Sequence, residues 1–131
     1  MKVQRIKLPS NGKNTWILID DNYLPINPVN NYLRHLESIE KSPNTVSNYA
    51  YHLKLLWEFI QDSKFDWREI NQSYLANFIL WLRSPNPRII SIQQQEAKRT
   101  ERTINTILSA VYNFYEFHKR NGTVNSVDAY R

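Results

Sequence analysis

The fold is decided by one segment, SPNTVSNYAYHLKLLWEFI, which covers residues 42–60. Ser42 followed by Pro43 is typical of a helix start, because the serine side chain can cap free backbone N–H groups and proline suits the first turn. The apolar residues that follow recur with the period of an α-helix and form one stripe: Val46, Tyr49, Leu53, Leu56, Trp57 and Ile60. The segment therefore predicts an amphipathic helix.

The opposite side of this helix is polar in an unusual way. At about 100° per residue, it collects a set rich in asparagine and serine: Asn44, Ser47, Asn48, Tyr51, Lys54 and Glu58. Asparagine and serine weaken a helix slightly, whereas a face that only meets water favours strong helix formers such as glutamate and lysine. We interpret this face as a contact surface.

A β-hairpin and a first helix are predicted before this segment. Residues 3–8 and 15–19 are rich in β-branched and apolar residues, and the Asn-Gly pair at 11–12 between them is a strong turn signal. From residue 28 to about residue 40 the pattern is helical, with Asn27 as the predicted cap. The predicted inward stripe of this helix is Val29, Leu33, Leu36 and Ile39.

Two further helices are predicted after the segment. Asn71 caps a helix that Pro85 ends, and a last helix starts at Thr100 and ends near Gly122. Residues 84–99 between them carry two prolines and a glutamine run, which predicts a long loop. The inward stripes are Tyr74, Leu75, Phe78, Ile79 and Leu82 in the third helix, and Ile104, Ile107, Leu108, Val111, Tyr115 and His118 in the fourth. The fourth helix again has a polar outer side: Arg102, Thr106, Ser109, Asn113 and Arg120.

Composition favours one domain with a polyanionic partner. The 131 residues include no cysteine, which excludes disulfides and thiolate metal sites and suits a cytoplasmic protein. No apolar run approaches the roughly 20 residues that span a bilayer, so we expect no membrane partner. The net charge is +5, and residues 1–13 hold four basic and no acidic residues: Lys2, Arg5, Lys7 and Lys13. This charge can grip phosphates, although ordinary solubilising charge explains it equally well.

No catalytic arrangement is visible in the sequence. His35, His52 and His118 lie far apart, without a carboxylate or second histidine at ligand spacing, which argues against a metal site and a Ser-His-Asp arrangement. Asp20 and Asp21 are adjacent beside a predicted strand and would point to opposite sides, so turn chemistry explains them better than acid-base work. We predict no catalytic residue, no metal, no cofactor and no small-molecule ligand.

Three segments together resemble a known family. The segments SPNTVSNYAYHLKLLWEFI, INQSYLANFILWLRS and RTINTILSAVYNFYEFHKRNG resemble the core-binding domain of tyrosine recombinases, the phage-integrase family, over about residues 28–122. The hairpin and the YAYHLKLLWEF segment look closest to integrase-like transposases of mobile elements. The resemblance implies a mainly α fold, a four-helix SAM-like bundle with a small N-terminal β-hairpin. It divides the chain into a basic arm with the hairpin (1–26), a DNA-binding domain (27–122) and the start of a linker to a separate catalytic domain (123–131).

The resemblance also implies how such a domain works. It would bind duplex DNA on one side of a recombination site in the cytoplasm of a bacterial or phage-like host cell, beside other recombinase protomers. The second and fourth helices would face the major groove. Together with the polar faces, this predicts these DNA-contacting residues: Asn44, Thr45, Asn48, Tyr51, Lys54, Lys98, Arg99, Thr100, Arg102, Thr103, Thr106 and Ser109. We expect the fourth helix to be the more informative reading element, because Arg102 can reach a phosphate or a guanine edge.

The catalytic chemistry of that family needs residues that this chain does not match. The family uses two arginines, a lysine, a His-x-x-Arg pair and a tyrosine nucleophile in a separate domain. None of the three histidines is followed three residues later by arginine, and Tyr130 lacks a catalytic framework around it. We therefore expect this chain to be one part of a longer recombinase and to bind DNA without cutting it.

Two other functions remain open at this point. A helical protein-interaction domain would use the same polar faces against another protein, with the +5 charge incidental. A complete small enzyme would need a site that the sequence does not indicate. Salt dependence separates the first alternative from DNA binding, because phosphate contacts release counterions and weaken steeply as salt rises.

Overall fold

The computed structural model describes residues 1–9, 12–84 and 99–124. Within them the elements are β1 (Lys2–Lys7), β2 (Asn14–Ile19), α1 (Asn27–Ser38), α2 (Pro43–Ser63), a short 3-10 helix (Trp67–Glu69), α3 (Gln72–Arg83) and α4 (Glu101–Arg120). The predicted mainly α fold with four helices and an N-terminal hairpin is confirmed. Most of the predicted loop over 84–99 lies outside the described residues, as do Asn11, Pro85, Lys98 and Tyr130.

The chain divides into two compact units, Met1–Ser63 and Lys64–Arg131. The first contains the hairpin, α1 and α2, and the second contains the 3-10 helix, α3 and α4. The predicted domain boundary between residues 26 and 27 stays a prediction.

The hairpin is held within the first unit. Its strands are antiparallel, with Lys2 opposite Ile19 and Lys7 opposite Asn14. Gly12 in the turn has a φ of +69°, a conformation that glycine adopts without steric cost. Both strands pack against α2. The basic residues of the predicted arm lie on a paired strand and its turn, where all four side chains are exposed: Lys2, Arg5, Lys7 and Lys13.

Helix α1 covers the edge of β2 that faces away from β1. The buried Asn30 accepts the Leu18 N–H at 2.8 Å through Oδ1 and donates to the Leu18 carbonyl at 3.0 Å through Nδ2. The Ile26 N–H reaches the same carbonyl at 2.9 Å. One turn further along α1, Arg34 Nη2 donates to the Trp16 carbonyl at 2.8 Å. These bonds satisfy backbone groups that an open strand edge would leave exposed.

A polar cluster strengthens the same junction. The Thr15 side chain is fully buried, and its hydroxyl donates to Glu37 and accepts from Arg34. Arg34 Nε lies 2.6 Å from Glu37 Oε1. Because the Thr15 hydroxyl bonds both charged side chains and these form an ion pair with each other, the cluster ties α1 to β2.

Local signals placed three helix starts correctly. Side-chain oxygens cap α2, α3 and α4: Ser42 accepts from the Thr45 N–H at 3.2 Å, Asn71 from the Tyr74 N–H at 2.9 Å, and Thr100 from the Thr103 N–H at 3.2 Å. The predicted cap of α1 was wrong. Ile26 occupies the cap position, and Asn27 is the first helical residue. Ile26 is buried and bonded to β2, so tertiary contacts set this start.

The end of α1 also differs from the prediction. The helix stops two residues early, and Glu40 turns the chain with a φ of +63°. The Lys41 N–H then bonds the Leu36 carbonyl at 3.0 Å, as in a Schellman motif. Ile39 follows the last helical residue and is 51% exposed, so its assignment to the inward stripe was wrong. The residue lies past the last helical turn and no longer follows the helical period.

The second unit has an aromatic core along α4. The predicted inward residues of α4 are all buried: Ile104, Ile107, Leu108, Val111, Tyr115 and His118. The Tyr115 hydroxyl donates to the Trp67 carbonyl at 2.6 Å, and burial raises the pKa of Tyr115. The Trp67 ring centroid lies 4.9 Å from that of His118. The helix ends as predicted, with Gly122 at a φ of +73° and the Thr123 N–H bonded to the His118 carbonyl at 2.9 Å.

Two kinds of feature are absent from the described part of the chain. None of its helices is long and apolar enough to cross a membrane. No group of three or more histidine, aspartate or glutamate side chains in it is arranged to hold a metal ion.

Replacing Asn30 with alanine should destabilise the protein by about 2 kcal/mol, because the buried Leu18 N–H would be left without its acceptor. Urea unfolding measures this difference. Asn31 is exposed on the same helix, so Asn31→Ala is the matched control and should change stability by less than about 0.5 kcal/mol. Equal unfolding midpoints for the two variants would show that the bonds between Asn30 and the edge of β2 contribute nothing.

Candidate nucleic-acid interface

The outward side of the first half of α2 carries polar groups with no internal role. Asn44, Asn48 and Tyr51 follow the i, i+4, i+7 spacing of one helix face, and all three are exposed. Their side chains make no hydrogen bond or ion pair with any residue in the described ranges. Two carboxamides and one hydroxyl are therefore available to a partner.

Two other predicted residues of α2 are engaged within the helix. Thr45 is half-buried, and its hydroxyl lies 3.0 Å from that of Ser42 in the helix cap. Lys54 Nζ lies 3.9 Å from Glu58 Oε1. Glu58 and Asp62 make the second half of the face acidic. A polyanion would therefore meet the first half of α2 more favourably than the second.

The outward side of α4 is built differently. The Thr106 hydroxyl donates back to the Arg102 carbonyl, and the Ser109 hydroxyl donates back to the Asn105 carbonyl, both at 3.0 Å. Arg102 is exposed and has no side-chain partner among the residues that the structure describes. Asn105 is exposed at i+3 from Arg102, and the sequence prediction missed it although the helical period places it on this face. The guanidinium of Arg102 is thus an available charge of this surface.

The predicted residues at the start of α4 have structural contacts. Thr100 caps the helix, and its hydroxyl also donates to Thr103 Oγ1 at 3.0 Å. Arg99 is half-buried, and its Nη1 donates to the Leu82 carbonyl at 2.9 Å. Lys98 lies outside the described residues. These contacts order the beginning of α4, while contact of these residues with DNA stays a prediction.

A groove in the first unit brings basic side chains to the start of α2. Its volume is about 680 Å³, and it lies between the hairpin, the end of α1 and the first residues of α2. Its charged lining consists of Arg5, Lys13, Lys41, Glu37 and Glu40. The lining thus holds three cations and two carboxylates, and one of the carboxylates, Glu37, is already bonded to Arg34 and Thr15. The sequence predicted that Arg5 and Lys13 contact phosphates, but it did not predict that Lys41 lies beside them.

Comparison with known proteins shows where the chain belongs. The family described as phage integrase, N-terminal SAM-like domain, matches residues 29–122. The chain belongs to this family. The match confirms the resemblance to tyrosine recombinases that the sequence motifs suggested. This chain is therefore a SAM-like domain of the phage-integrase N-terminal type.

Relatives extend the likeness to the hairpin. Transposase A from transposon Tn554 of Staphylococcus aureus strain Mu50 is 39% identical over 132 residues, as is the same transposase from a second strain. The match covers 100% of this chain and 37% of the transposase. The chain thus spans little more than a third of the length of these relatives, and the predicted transposase branch is supported. No solved structure matches the chain.

One titratable group lies beside the exposed face of α2. His52 is half-buried, and burial lowers its pKa below the ordinary value of 6.5. The unfolded chain therefore binds more protons than the folded chain as the pH falls below about 6.5. We expect the stability contribution of neutral His52 to be complete above that pH and to be lost as the pH falls toward the folded-state pKa.

Urea unfolding at pH 7.5 and 5.5 tests this expectation (about one pH unit on either side of the unfolded pKa). The wild-type protein should lose more stability on acidification than His52→Gln, which cannot titrate. Identical losses in the two proteins would contradict a lowered pKa at this position.

Proposed function

We propose that this domain binds duplex DNA and holds one side of a recombination site while a recombinase or transposase acts on it. The main support is in the first half of α2. There Asn44, Asn48 and Tyr51 are exposed and have no side-chain partner among the described residues. Free amides and hydroxyls on a helix cost helix stability, and a base or phosphate partner explains their presence. The N-terminal integrase family and the transposase relatives support the same function.

The basic hairpin supplies the sequence-independent part of the proposed binding. Its exposed side chains can act as point charges along phosphates, and Arg5 and Lys13 share a groove with Lys41 beside the start of α2. On α4, Arg102 is placed to contact a phosphate or a guanine edge. Because such contacts release counterions, affinity should fall as salt rises. In a protein-interaction domain, any affinity for duplex DNA would not depend so steeply on the salt concentration.

We place this domain in a tyrosine recombinase that cuts and rejoins DNA through catalytic residues in another domain, with several protomers assembled on the recombination site in the cytoplasm. The chain matches only 37% of the transposase relatives, which leaves room in them for such a domain. DNA is the partner through which these protomers meet.

The central test compares two arginines that carry the same charge. Arg102→Ala should weaken duplex binding by roughly five- to tenfold without changing the melting temperature, because its guanidinium is free to contact DNA. Arg68→Ala is the control, since Arg68 is exposed but bonded to Asp66 at 3.0 Å. Fluorescence anisotropy with a labelled duplex at about 50 and about 200 mM salt measures both.

The outcomes distinguish a direct contact of Arg102 with DNA from an effect of the protein's net charge. Equal weakening by the two variants would mean that only net charge matters and would remove Arg102 from the interface. Absence of duplex binding by the wild-type chain at the lower salt would contradict the DNA function itself.

A second test concerns the hairpin. Substitution is preferable to deletion, because β1 pairs with β2 and packs on α2. Arg5→Gln with Lys13→Gln should reduce the salt slope by about one to two, at about 0.9 for each phosphate that the variant no longer neutralises, and leave base preference unchanged. The control pair, Lys64→Gln with Arg68→Gln, removes the same charge from exposed positions elsewhere. If both pairs reduce the slope alike, the hairpin does not contact phosphates.

A further inference from the structure

We propose that Asn44 and Asn48 read adenine bases in the DNA major groove, with one carboxamide on each of two nearby adenines. This inference rests on the proposed function and assigns a base preference to the α2 surface. The fourth helix, which the sequence favoured as the reading element, would then act mainly through the charge of Arg102.

The chemistry of the carboxamide supports adenine. An asparagine side chain offers one acceptor oxygen and a donor NH₂ group. Adenine presents an acceptor at N7 and a donor at N6 in the major groove, so one asparagine can form two hydrogen bonds with it. Asn44 and Asn48 are both exposed and make no side-chain hydrogen bond with a described residue. Both carboxamides therefore keep their full hydrogen-bonding capacity.

The positions of the two asparagines set the spacing of the bases. They are four residues apart on one helix face, which corresponds to about 6 Å along the axis. Base pairs are stacked about 3.4 Å apart, so a helix that follows the groove would present the two side chains to adenines about two steps apart. Buried Val46 and Ala50 hold this part of α2 in the core of the protein. The two amides are thus held at a defined separation.

Charge determines which end of α2 approaches DNA. The groove at the start of the helix holds three cations, Lys41, Arg5 and Lys13, with two carboxylates, whereas the second half of the helix holds Glu58 and Asp62 with one cation, Lys54. Phosphates attract the first group and repel the second. The N-terminal end of α2 is therefore the end that enters the groove, as in other recognition helices whose first residues contact base edges.

The first experiment selects the preferred duplexes from a randomised library with the 131-residue chain. We expect adenine at two positions about two base-pair steps apart. The best duplex is then made with 7-deazaadenine at each position, which removes the N7 acceptor and preserves base pairing. Each replacement should weaken wild-type binding by about fivefold, since it removes one of the two hydrogen bonds of a bidentate contact.

Variants assign each base to a side chain. Asn44→Ala should abolish the 7-deazaadenine effect at one position and Asn48→Ala at the other. Asn31→Ala, an exposed asparagine on α1, should retain both effects. Circular dichroism checks that all three variants keep the helical content of the wild-type protein.

The outcomes distinguish this inference from the function on which it rests. If the wild-type chain binds duplex DNA but 7-deazaadenine has no effect at either position, adenine reading is wrong and DNA binding stands. If the 7-deazaadenine effects survive in Asn44→Ala and Asn48→Ala, another residue reads the adenines and the assignment is wrong. If the wild-type chain binds no duplex from the library, the proposed function fails, and adenine reading fails with it.

Discussion

The pairing of the Asn30 carboxamide with the backbone of Leu18 is the contact on which the first unit depends. A two-stranded hairpin is marginally stable by itself, and its second strand would present unpaired backbone groups to water. Asn30 bonds both the N–H and the carbonyl of Leu18, in the manner of a neighbouring strand. The hairpin thereby becomes part of the packed unit, and its basic turn comes to lie beside the start of α2. The location of the groove cations depends on this contact together with the other bonds between α1 and β2 and the packing of both strands against α2.

The outward faces of α2 and α4 differ in chemistry although both are rich in small polar residues. On α4 the hydroxyls of Thr106 and Ser109 are bonded to backbone carbonyls of their own helix, whereas Arg102 and Asn105 are exposed without a side-chain partner among the described residues. On α2 the carboxamides of Asn44 and Asn48 make no such bonds within the described residues. A cation without competing partners can pair with a phosphate, and a free carboxamide can form hydrogen bonds with a base edge. In the proposed function, Arg102 would therefore contact a phosphate and the α2 carboxamides would contact bases.

Predictions from the sequence succeeded where the cause was local. The helix starts at Ser42, Asn71 and Thr100 were found because each side chain bonds a backbone group only three residues away. The buried side of α4 was found because the helical period determines it. Predictions failed at Asn27 and Ile39, where contacts with β2 and a left-handed turn at Glu40 decided the helix ends. Asn30 was overlooked because its partner lies twelve residues away on another element.

The amino-acid sequence by itself determined the helices, the hairpin, the family and the polar faces, because each follows from periodicity, capping or motifs within a short stretch of chain. Only the tertiary structure decided which polar groups are free. Asn30 and Asn44 are the same residue type on neighbouring helices, yet the first is buried against a strand and the second faces outward without a partner among the described residues. Likewise, only folding brings Lys41 together with Arg5 and Lys13. Which polar groups are free and which cations lie close together depends on contacts between distant parts of the chain. No local sequence pattern encodes these contacts.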